Sequence, residues 1–246
     1  MRRTLEVPLD SLDAAIVAAP FADRLELCDD LASEGWTPDP SLIRAVRERI
    51  DTSRTSIVSM IRPRSANASA FLDVAAFTTT PRILEDCLRE IDASAKAGAD
   101  SVAIGLLTAD GVVDMEACAR MRDVALQHGL VVAFLRTFDL LADRQRGMDD
   151  ITALGMTRVV TAGVSGWDAS VLTLAQRLEV LATDVRNAEA AAARHGATAV
   201  EIVPGGGVRA ANAAEFLTVS PHLHASCRRD GAISGEELGA LAAALR

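Results

Sequence analysis

The chain has 246 residues with a formal net charge of −9, and half of its residues are hydrophobic. This length suits one large domain or two small ones, and the apolar content supports a substantial core and argues against disorder. The acidic balance excludes nucleic acid as the main partner, because a phosphate backbone needs a basic face.

Short apolar runs alternate with longer amphipathic, alanine-rich segments along the chain. The runs predict strands at Thr4–Val7, Arg24–Cys28, Ser56–Ile61, Ser101–Leu106, Leu130–Leu135, Arg158–Thr161, Ala199–Val203 and Leu223–Ser226. The segments predict helices at Ser11–Ala19, Pro40–Ile50, Thr80–Ala97, Met115–His128, Arg146–Leu154, Ala169–His195, Ala210–Leu217 and Gly235–Leu245. Several helices end in glycine, the usual residue after a helix C-terminus, at Gly98, Gly129, Gly155 and Gly196.

This alternation predicts a (β/α)₈ TIM barrel, a single α/β domain over residues 1–246. A doubly wound open sheet is the competitor. It would more often show fewer strands and a glycine-rich fingerprint after the first strand, which this sequence lacks. The longest irregular stretch, Ser65–Thr79, is interpreted as a loop over the barrel mouth.

The four cysteines are widely spread, and no pair has CxxC or CxxxC spacing. No signal peptide is recognisable, and no run approaches the ~18 consecutive apolar residues of a membrane helix. We therefore expect a reduced, cytoplasmic protein without a membrane partner. The alanine-rich outer helices suggest a homodimer.

Arginines follow two predicted strands directly. Ile61-Arg62-Pro63-Arg64 follows the third strand, and Arg136-Thr137-Phe138-Asp139 follows the fifth. Ligands bind at the carboxyl ends of parallel strands, and a guanidinium group offers a rigid fork of donors for carboxylate or phosphate. Arg62, Arg64 and Arg136 therefore predict a small anionic ligand at the mouth.

Side chains alternate between the two faces of a strand, which predicts the residues of the barrel lumen. The inward set is Glu6, Glu26, Cys28, His224 and Ser226. These charges have two interpretations, a structural ion network inside the barrel or a ligand site. The position of Glu6 early in its strand favours the network.

The same alternation places Arg62 on the face of Met60, and Arg136 on the face of Phe134. Both arginines are thereby expected in or above the lumen. Their position at the carboxyl ends of their strands favours the ligand site.

A glycine run, Gly205-Gly206-Gly207, follows the seventh strand. In many barrels the loops after strands seven and eight cradle a phosphate with backbone N–H groups. A plain tight turn into the next helix is the alternative.

Glu26 and Asp139 are the candidates for moving a proton if the barrel is an enzyme. Asp139 could instead orient Arg136 or cap the next turn.

Segments in order along most of the chain resemble the CutC copper-homeostasis family. They are Arg24–Cys28, Glu34–Pro38, Ile61–Arg64, Asp110–Met115, Arg136–Asp139, Gly205–Arg209 and His224–Ser226. The resemblance implies a cytosolic TIM barrel linked to copper tolerance, with Cu(I) as a ligand of some members.

The chain departs from the family pattern in several places. Leu135 stands where family members usually have a His before the second arginine motif. The early strand reads Glu6-Val7 instead of the family's Glu-Ile-Cys, and His222 replaces the usual Glu at the start of the last strand. Ser65-Ala66-Asn67-Ala68 replaces the family's Gly-Gly-Asp-Phe.

Cys28 and His224 are the candidate Cu(I) ligands, since Cu(I) prefers thiolate and accepts imidazole. The alternative for Cys28 is a small buried hydrophobe. Three hypotheses result. The first is a CutC-like copper-homeostasis protein that binds Cu(I) or an anion at the mouth. The second is an enzyme acting on a small phosphorylated or carboxylated metabolite, and the third is a partner-binding scaffold without chemistry.

Overall fold

The structure, a computed structural model, describes residues 2–65 and 72–246. Eight parallel strands form one sheet, in which the first seven strands pair in chain order and the eighth pairs with the first. These strands are β1 (Thr4–Leu9), β2 (Arg24–Leu27), β3 (Ser56–Met60), β4 (Ser101–Ile104), β5 (Val131–Phe134), β6 (Arg158–Thr161), β7 (Glu201–Pro204) and β8 (His222–His224). β7 and β8 lie side by side, which makes a nearly closed barrel.

An α-helix follows each strand. The helices are α1 (Leu12–Ala18), α2 (Pro40–Arg49), α3 (Pro81–Ala97), α4 (Met115–Gln127), α5 (Arg144–Ala153), α6 (Leu174–His195), α7 (Ala213–Phe216) and α8 (Gly235–Ala244). All but the short α7 begin after a Ser, Thr or Asp whose side chain accepts a backbone N–H of the first turn.

The prediction of a (β/α)₈ TIM barrel is confirmed. The strands lie close to their predicted positions, and the four helix-ending glycines all have positive φ. α7 begins three residues later than predicted, after a 3₁₀ turn at Ala210–Asn212. α5 begins two residues earlier and α6 five residues later than predicted, because their caps lie elsewhere. Asp143 caps α5 by accepting from the Arg146 N–H at 2.9 Å, and Thr173 caps α6 with a capping box.

Strand alternation separates an outer core from a lumen. Apolar residues such as Leu5, Leu25 and Phe134 pack in the large core with the helices. A second, smaller apolar cluster fills the lumen: Val58, Ala103, Ala133 and Leu135, with Met60 against it.

The prediction that Arg136 shares the strand face of Phe134 is therefore wrong, because Phe134 faces outward. β5 ends at Phe134, and Arg136 begins a 3₁₀ turn, Arg136–Leu140, that redirects the chain.

The predicted loop Ser65–Thr79 lies only partly within the described structure, since residues 66–71 fall outside it. Its later part forms a 3₁₀ turn, Val74–Phe77, that brings Phe77 to the carboxyl ends of the strands. Among the described residues, no helix has the length and apolar character needed to cross a membrane.

Candidate functional site

A cavity of about 350 Å³ opens at the carboxyl ends of the strands, a volume typical of small-molecule sites. It brings together predicted site residues from five strand–helix connections: Glu26, Arg62, Arg136, Gly206, Gly207, His224 and Ser226. Residues that the sequence reasoning missed complete the lining: Pro8, Leu31, Glu34, Met60, Phe77, Leu135, Val160, Trp167 and Arg228. We call this space the mouth cavity.

Alternating arginines and aromatic rings form one wall of the mouth cavity. The Arg62 guanidinium carbon lies 4.1 Å from the Trp36 ring centroid and 5.2 Å from that of Phe77. Phe77 stacks on Trp167 with centroids 5.7 Å apart, and Arg136 lies 4.5 Å from Trp167 on the far side. Cation–π contacts thus hold both guanidinium groups in place without neutralising their charge.

Arg62 is buried, with 4% exposure. Its guanidinium donates to the carbonyl oxygens of Gly35 at 3.1 Å and Ser33 at 3.4 Å, and its Nε has no partner. Within the described part of the chain, no carboxylate forms a salt bridge with it. Burial lowers the pKa of Arg62, and the charge of the exposed Glu34 opposes this only from beyond salt-bridge distance. A buried cation without a salt bridge is costly, so an anion in contact with its guanidinium would be stabilised there.

Glu26 and His224 form the floor of the mouth cavity, and Glu6 lies below them. His224 Nδ1 is 3.0 Å from Glu6 Oε1, and His224 Nε2 is 3.9 Å from Glu26 Oε2. Pairing between adjacent strands explains the contact, because Glu6 of β1 is in register with His224 of β8. An ionised carboxylate only accepts hydrogen bonds, so Nδ1 carries a proton and Nε2 faces the cavity side.

The two glutamates of this group titrate in opposite directions. Burial raises the pKa of Glu26 to about 7, well above its ordinary 4.5. Burial also opposes ionisation of Glu6, but the charges of Arg158 and Arg24 and the His224 hydrogen bond hold its pKa far below the usual range. Burial works against a charged His224 too, yet the Glu6 hydrogen bond and the nearby glutamates raise its pKa.

Glu6 does not line the mouth cavity, so its position supports the ion network rather than the predicted ligand contact. Its carboxylate accepts from Arg24 Nε at 2.8 Å and from Arg158 Nε at 3.2 Å. The sequence reasoning missed both arginines. The alternation that selected Glu26 also puts Arg24 and Arg158 on the lumen faces of β2 and β6, so the signal was present.

Asp139 is fully buried and lies outside the mouth cavity. Its carboxylate accepts from Thr161 Oγ1 at 2.5 Å, the Ala162 N–H at 2.8 Å, and both Arg136 Nε and Arg144 Nη1 at 3.2 Å. Because these hydrogen bonds engage its lone pairs, Asp139 orients Arg136, which is one of the alternative roles predicted for it. This placement does not support the catalytic role that we predicted for it.

Arg64 also lies outside the mouth cavity. Its side chain is 61% exposed and pairs with Asp29 at 2.5 Å. Its guanidinium carbon lies 5.5 Å from the Trp36 ring centroid, but the residue is absent from the cavity lining. We therefore do not assign Arg64 to the ligand site.

The predicted glycine run is divided between two roles. Gly206 and Gly207 line the mouth cavity with φ of 66° and 87°, which favours glycine at both positions. A Cβ on Gly206 would also lie 2.8 Å from the Ala162 Cβ. Gly205 is outside the lining, and its carbonyl accepts from Arg177 Nη2 at 2.8 Å.

The proposed Cu(I) pair does not fit this structure. The Cys28 Sγ is buried and donates to the Leu9 carbonyl oxygen at 3.4 Å, and Cys28 is absent from the cavity lining. Burial raises the pKa of its thiol, which opposes the thiolate that a metal needs. Across residues 2–65 and 72–246, no three or more His, Cys, Asp or Glu side chains are grouped to hold a metal ion.

Fold and site together define the class of protein: a (β/α)₈ barrel with a cation-lined cavity at the carboxyl ends of its strands. The model of the CutC family matches residues 3–228. This chain belongs to the CutC family, which confirms the resemblance in its motifs.

Individual relatives agree with this assignment. The chain is 31% identical over 236 residues to a CutC family protein of Histophilus somni, which covers 94% of this chain and 86% of the relative. It is 30% identical over 227 residues to the human copper homeostasis protein cutC homolog, which covers 91% of this chain and 73% of the relative. The crystal structure of CutC from Streptococcus agalactiae shares the fold, with a TM-score of 0.75, 24% identity, and coverage of 91% of this chain and 98% of that chain.

Proposed function

We propose that this barrel binds a small anionic metabolite in the mouth cavity, with Arg62 holding the anionic group. The observation that carries the proposal is that the buried Arg62 makes no salt bridge with a described residue, since the nearby Glu34 acts on it only from beyond salt-bridge distance. The cavity has two further arginines, but Arg136 is paired with Asp139 and Arg228 with Asp10. Among the arginines described in the cavity lining, Arg62 alone makes no salt bridge. We therefore expect the charged group of an anionic ligand to bind at Arg62.

Other parts of the lining suit the body of such a ligand. Phe77 and Trp167 offer flat apolar faces, and Met60 and Val160 add aliphatic surface. A cavity of about 350 Å³ that combines apolar surface with polar groups converging on one space is typical of a metabolite site. Gly206 and Gly207 allow a ligand to approach the backbone closely.

Glu26 and His224 favour a second candidate, an enzyme acting on a small phosphorylated or carboxylated metabolite. Because its pKa is raised to about 7, the buried Glu26 carries a proton for much of the time at neutral pH. A carboxylic acid and an imidazole facing one cavity are suited to general acid–base catalysis. The substrate would again be anchored at Arg62.

Copper homeostasis appears in the name of the human relative. For this chain we propose a role in that process through the anionic ligand, rather than through Cu(I) held by Cys28 and His224. The proposal is supported by the buried Cys28 thiol, which lies away from the mouth cavity. Homodimer formation and a cytoplasmic location stay predictions.

Tryptophan fluorescence offers a direct test, because the only two tryptophans of the chain, Trp36 and Trp167, contact Arg62 and Arg136. We expect inorganic phosphate to change the emission with saturation, and Arg62→Gln to weaken its binding at least about tenfold, as for the loss of a charge-assisted contact. Arg64→Gln is the matched control, since Arg64 is an exposed neighbour outside the cavity.

The dissociation constant of the Arg64→Gln variant should equal that of the original chain. Equal affinities for phosphate in the original chain and the Arg62→Gln variant would contradict the proposal, as would the absence of saturable binding.

A further inference from the structure

The floor of the mouth cavity contains a buried acid without a hydrogen-bond partner. Glu26 is 2% exposed and lines the cavity, and no described residue donates a hydrogen bond to its carboxyl group. Its nearest cationic atom is His224 Nε2, which at 3.9 Å is beyond hydrogen-bond distance. Its oxygens are not among the fully enclosed polar atoms without a partner, so they are accessible from the cavity, where a ligand can reach them.

His224 presents a second unused polar atom beside it. Its Nδ1 is engaged with Glu6, whereas its Nε2 makes no hydrogen bond to any residue in the described ranges. Ser226 lines the same part of the cavity. Two neighbouring polar groups on the floor therefore lack partners while facing the same space.

The surroundings fix the floor rigidly. Glu6 holds the His224 ring, and Glu6 is itself fixed by Arg24 and Arg158 from below. The strand register sets the same arrangement, because Glu6 pairs with His224 on one side and with Arg24 on the other. A floor held this firmly is preorganised for one ligand geometry.

We infer that the anion bound at Arg62 also bears a hydroxyl or carbonyl oxygen, and that this oxygen forms hydrogen bonds with Glu26 and His224 at the floor of the cavity. The ligand class is thus a hydroxy or oxo compound with a phosphate or carboxylate group. This inference rests on the proposed function and narrows its ligand. An amine is a poorer occupant, because Arg62, His224 and Arg136 already crowd the cavity with donors.

Matched pairs of ligands that differ in hydroxyl groups test the inference. Glycerol 3-phosphate is compared with n-propyl phosphate, and malate with succinate, by calorimetry on the full chain. We expect the hydroxylated member of at least one pair to bind about tenfold or more tightly, since a site with unpaired polar groups rejects an analogue lacking the partner oxygen. The pair that shows the difference identifies phosphate or carboxylate as the anionic group.

Substitutions at Glu26 test whether this residue causes the preference for the hydroxylated ligand. Glu26→Met should reduce the hydroxyl advantage to about threefold or less while leaving the affinity for n-propyl phosphate or succinate nearly unchanged. Glu26→Gln, which keeps a hydrogen-bonding group, should restore part of the advantage. Glu48→Met is the control, because Glu48 is an exposed residue of α2 outside the cavity lining, and it should retain the full advantage.

Failure of the inference differs from failure of the proposed function. Equal binding of both members of each pair to the original chain would overturn the inference while leaving the anion site intact. A hydroxyl advantage that persists in Glu26→Met would also overturn it. If none of the four anions binds, the proposed function fails, and the inference fails with it.

Discussion

Two arginines near the carboxyl ends of the strands have opposite environments: Arg144, whose side chain is 13% exposed, and Arg62, which is 4% exposed. Arg144 stacks on Phe138 and donates to Asp184 at 2.5 and 3.0 Å and to Asp139 at 3.2 Å. Arg62 stacks on Trp36 but finds only backbone carbonyl oxygens. Both side chains are largely shielded from solvent and stack on an aromatic ring, and what separates them is that Arg144 makes salt bridges whereas Arg62 makes none with the described residues.

The two lumen glutamates repeat this contrast. Glu6 accepts from two arginines and a histidine, whereas Glu26 accepts from none of the described residues. In each pair, one member is satisfied within the protein and lies away from the mouth cavity, and the other is unsatisfied and lines it. We therefore infer that the buried charges paired within the protein stabilise the barrel, and that Arg62 and Glu26 bind the ligand.

The largest expected effect is the loss of stability in Arg144→Met. This change leaves Asp139 and Asp184 buried without their shared cation, so we expect the free energy of unfolding to fall by about 3–5 kcal/mol. Arg62→Met should cost less than about 1.5 kcal/mol, because it strands no carboxylate. Urea denaturation measures both variants.

Arg146→Met, which alters an exposed neighbour on α5, is the control for Arg144→Met, and its effect should stay within about 0.5 kcal/mol. Equal losses in the Arg144 and Arg62 variants would remove the distinction between the two arginines.

A somewhat smaller effect is expected for Glu6→Gln, which removes the counter-charge of Arg24 and Arg158. The pKa of Glu6 is lowered in the folded protein, so its ionisation adds stability above its unfolded pKa of about 4.5. We expect a loss of about 3 kcal/mol at pH 7 that shrinks as the pH falls below 4.5. Unfolding measurements from pH 3 to pH 7 check this, and a loss that does not depend on pH would count against the assigned ionisation.

The smallest expected effect is a gain in stability in Glu26→Gln. The pKa of Glu26 is raised to about 7, so ionising it in the folded protein costs stability as the pH rises from about 4.5 through 7. Glu26→Gln removes this cost. Relative to the original chain, the variant should gain up to about 3 kcal/mol of stability between pH 4.5 and pH 8. A variant that loses relative stability over this range would show that Glu26 is paired after all.

Alternation along the strands predicted much of the site, because a regular strand fixes the direction of each side chain. Glu26 and His224 were found in this way, and Arg62 followed from its position one residue beyond the expected end of β3. The same rule failed where the strand stopped. Arg136 reaches the cavity through a 3₁₀ turn, and no strand pattern in the sequence predicts that turn's direction.

The contacts that a side chain makes were harder to predict from the sequence than the position that it occupies. Asp139 follows a strand like a site residue, but its carboxylate accepts from the Thr161 hydroxyl and the Ala162 N–H at the end of β6. Nothing local in the sequence connects those two residues with Asp139. Cys28 likewise falls on a family motif, yet its thiol donates to the backbone of Leu9 on the neighbouring strand. Packing between elements decides these contacts.

The most direct test of the central claim is anomalous diffraction from crystals soaked in selenate, a tetrahedral anion with a strong selenium signal. We expect a selenium peak in the mouth cavity, with a selenate oxygen within about 3 Å of the Arg62 guanidinium. Peaks only at exposed arginines such as Arg64, with none beside Arg62, would contradict it.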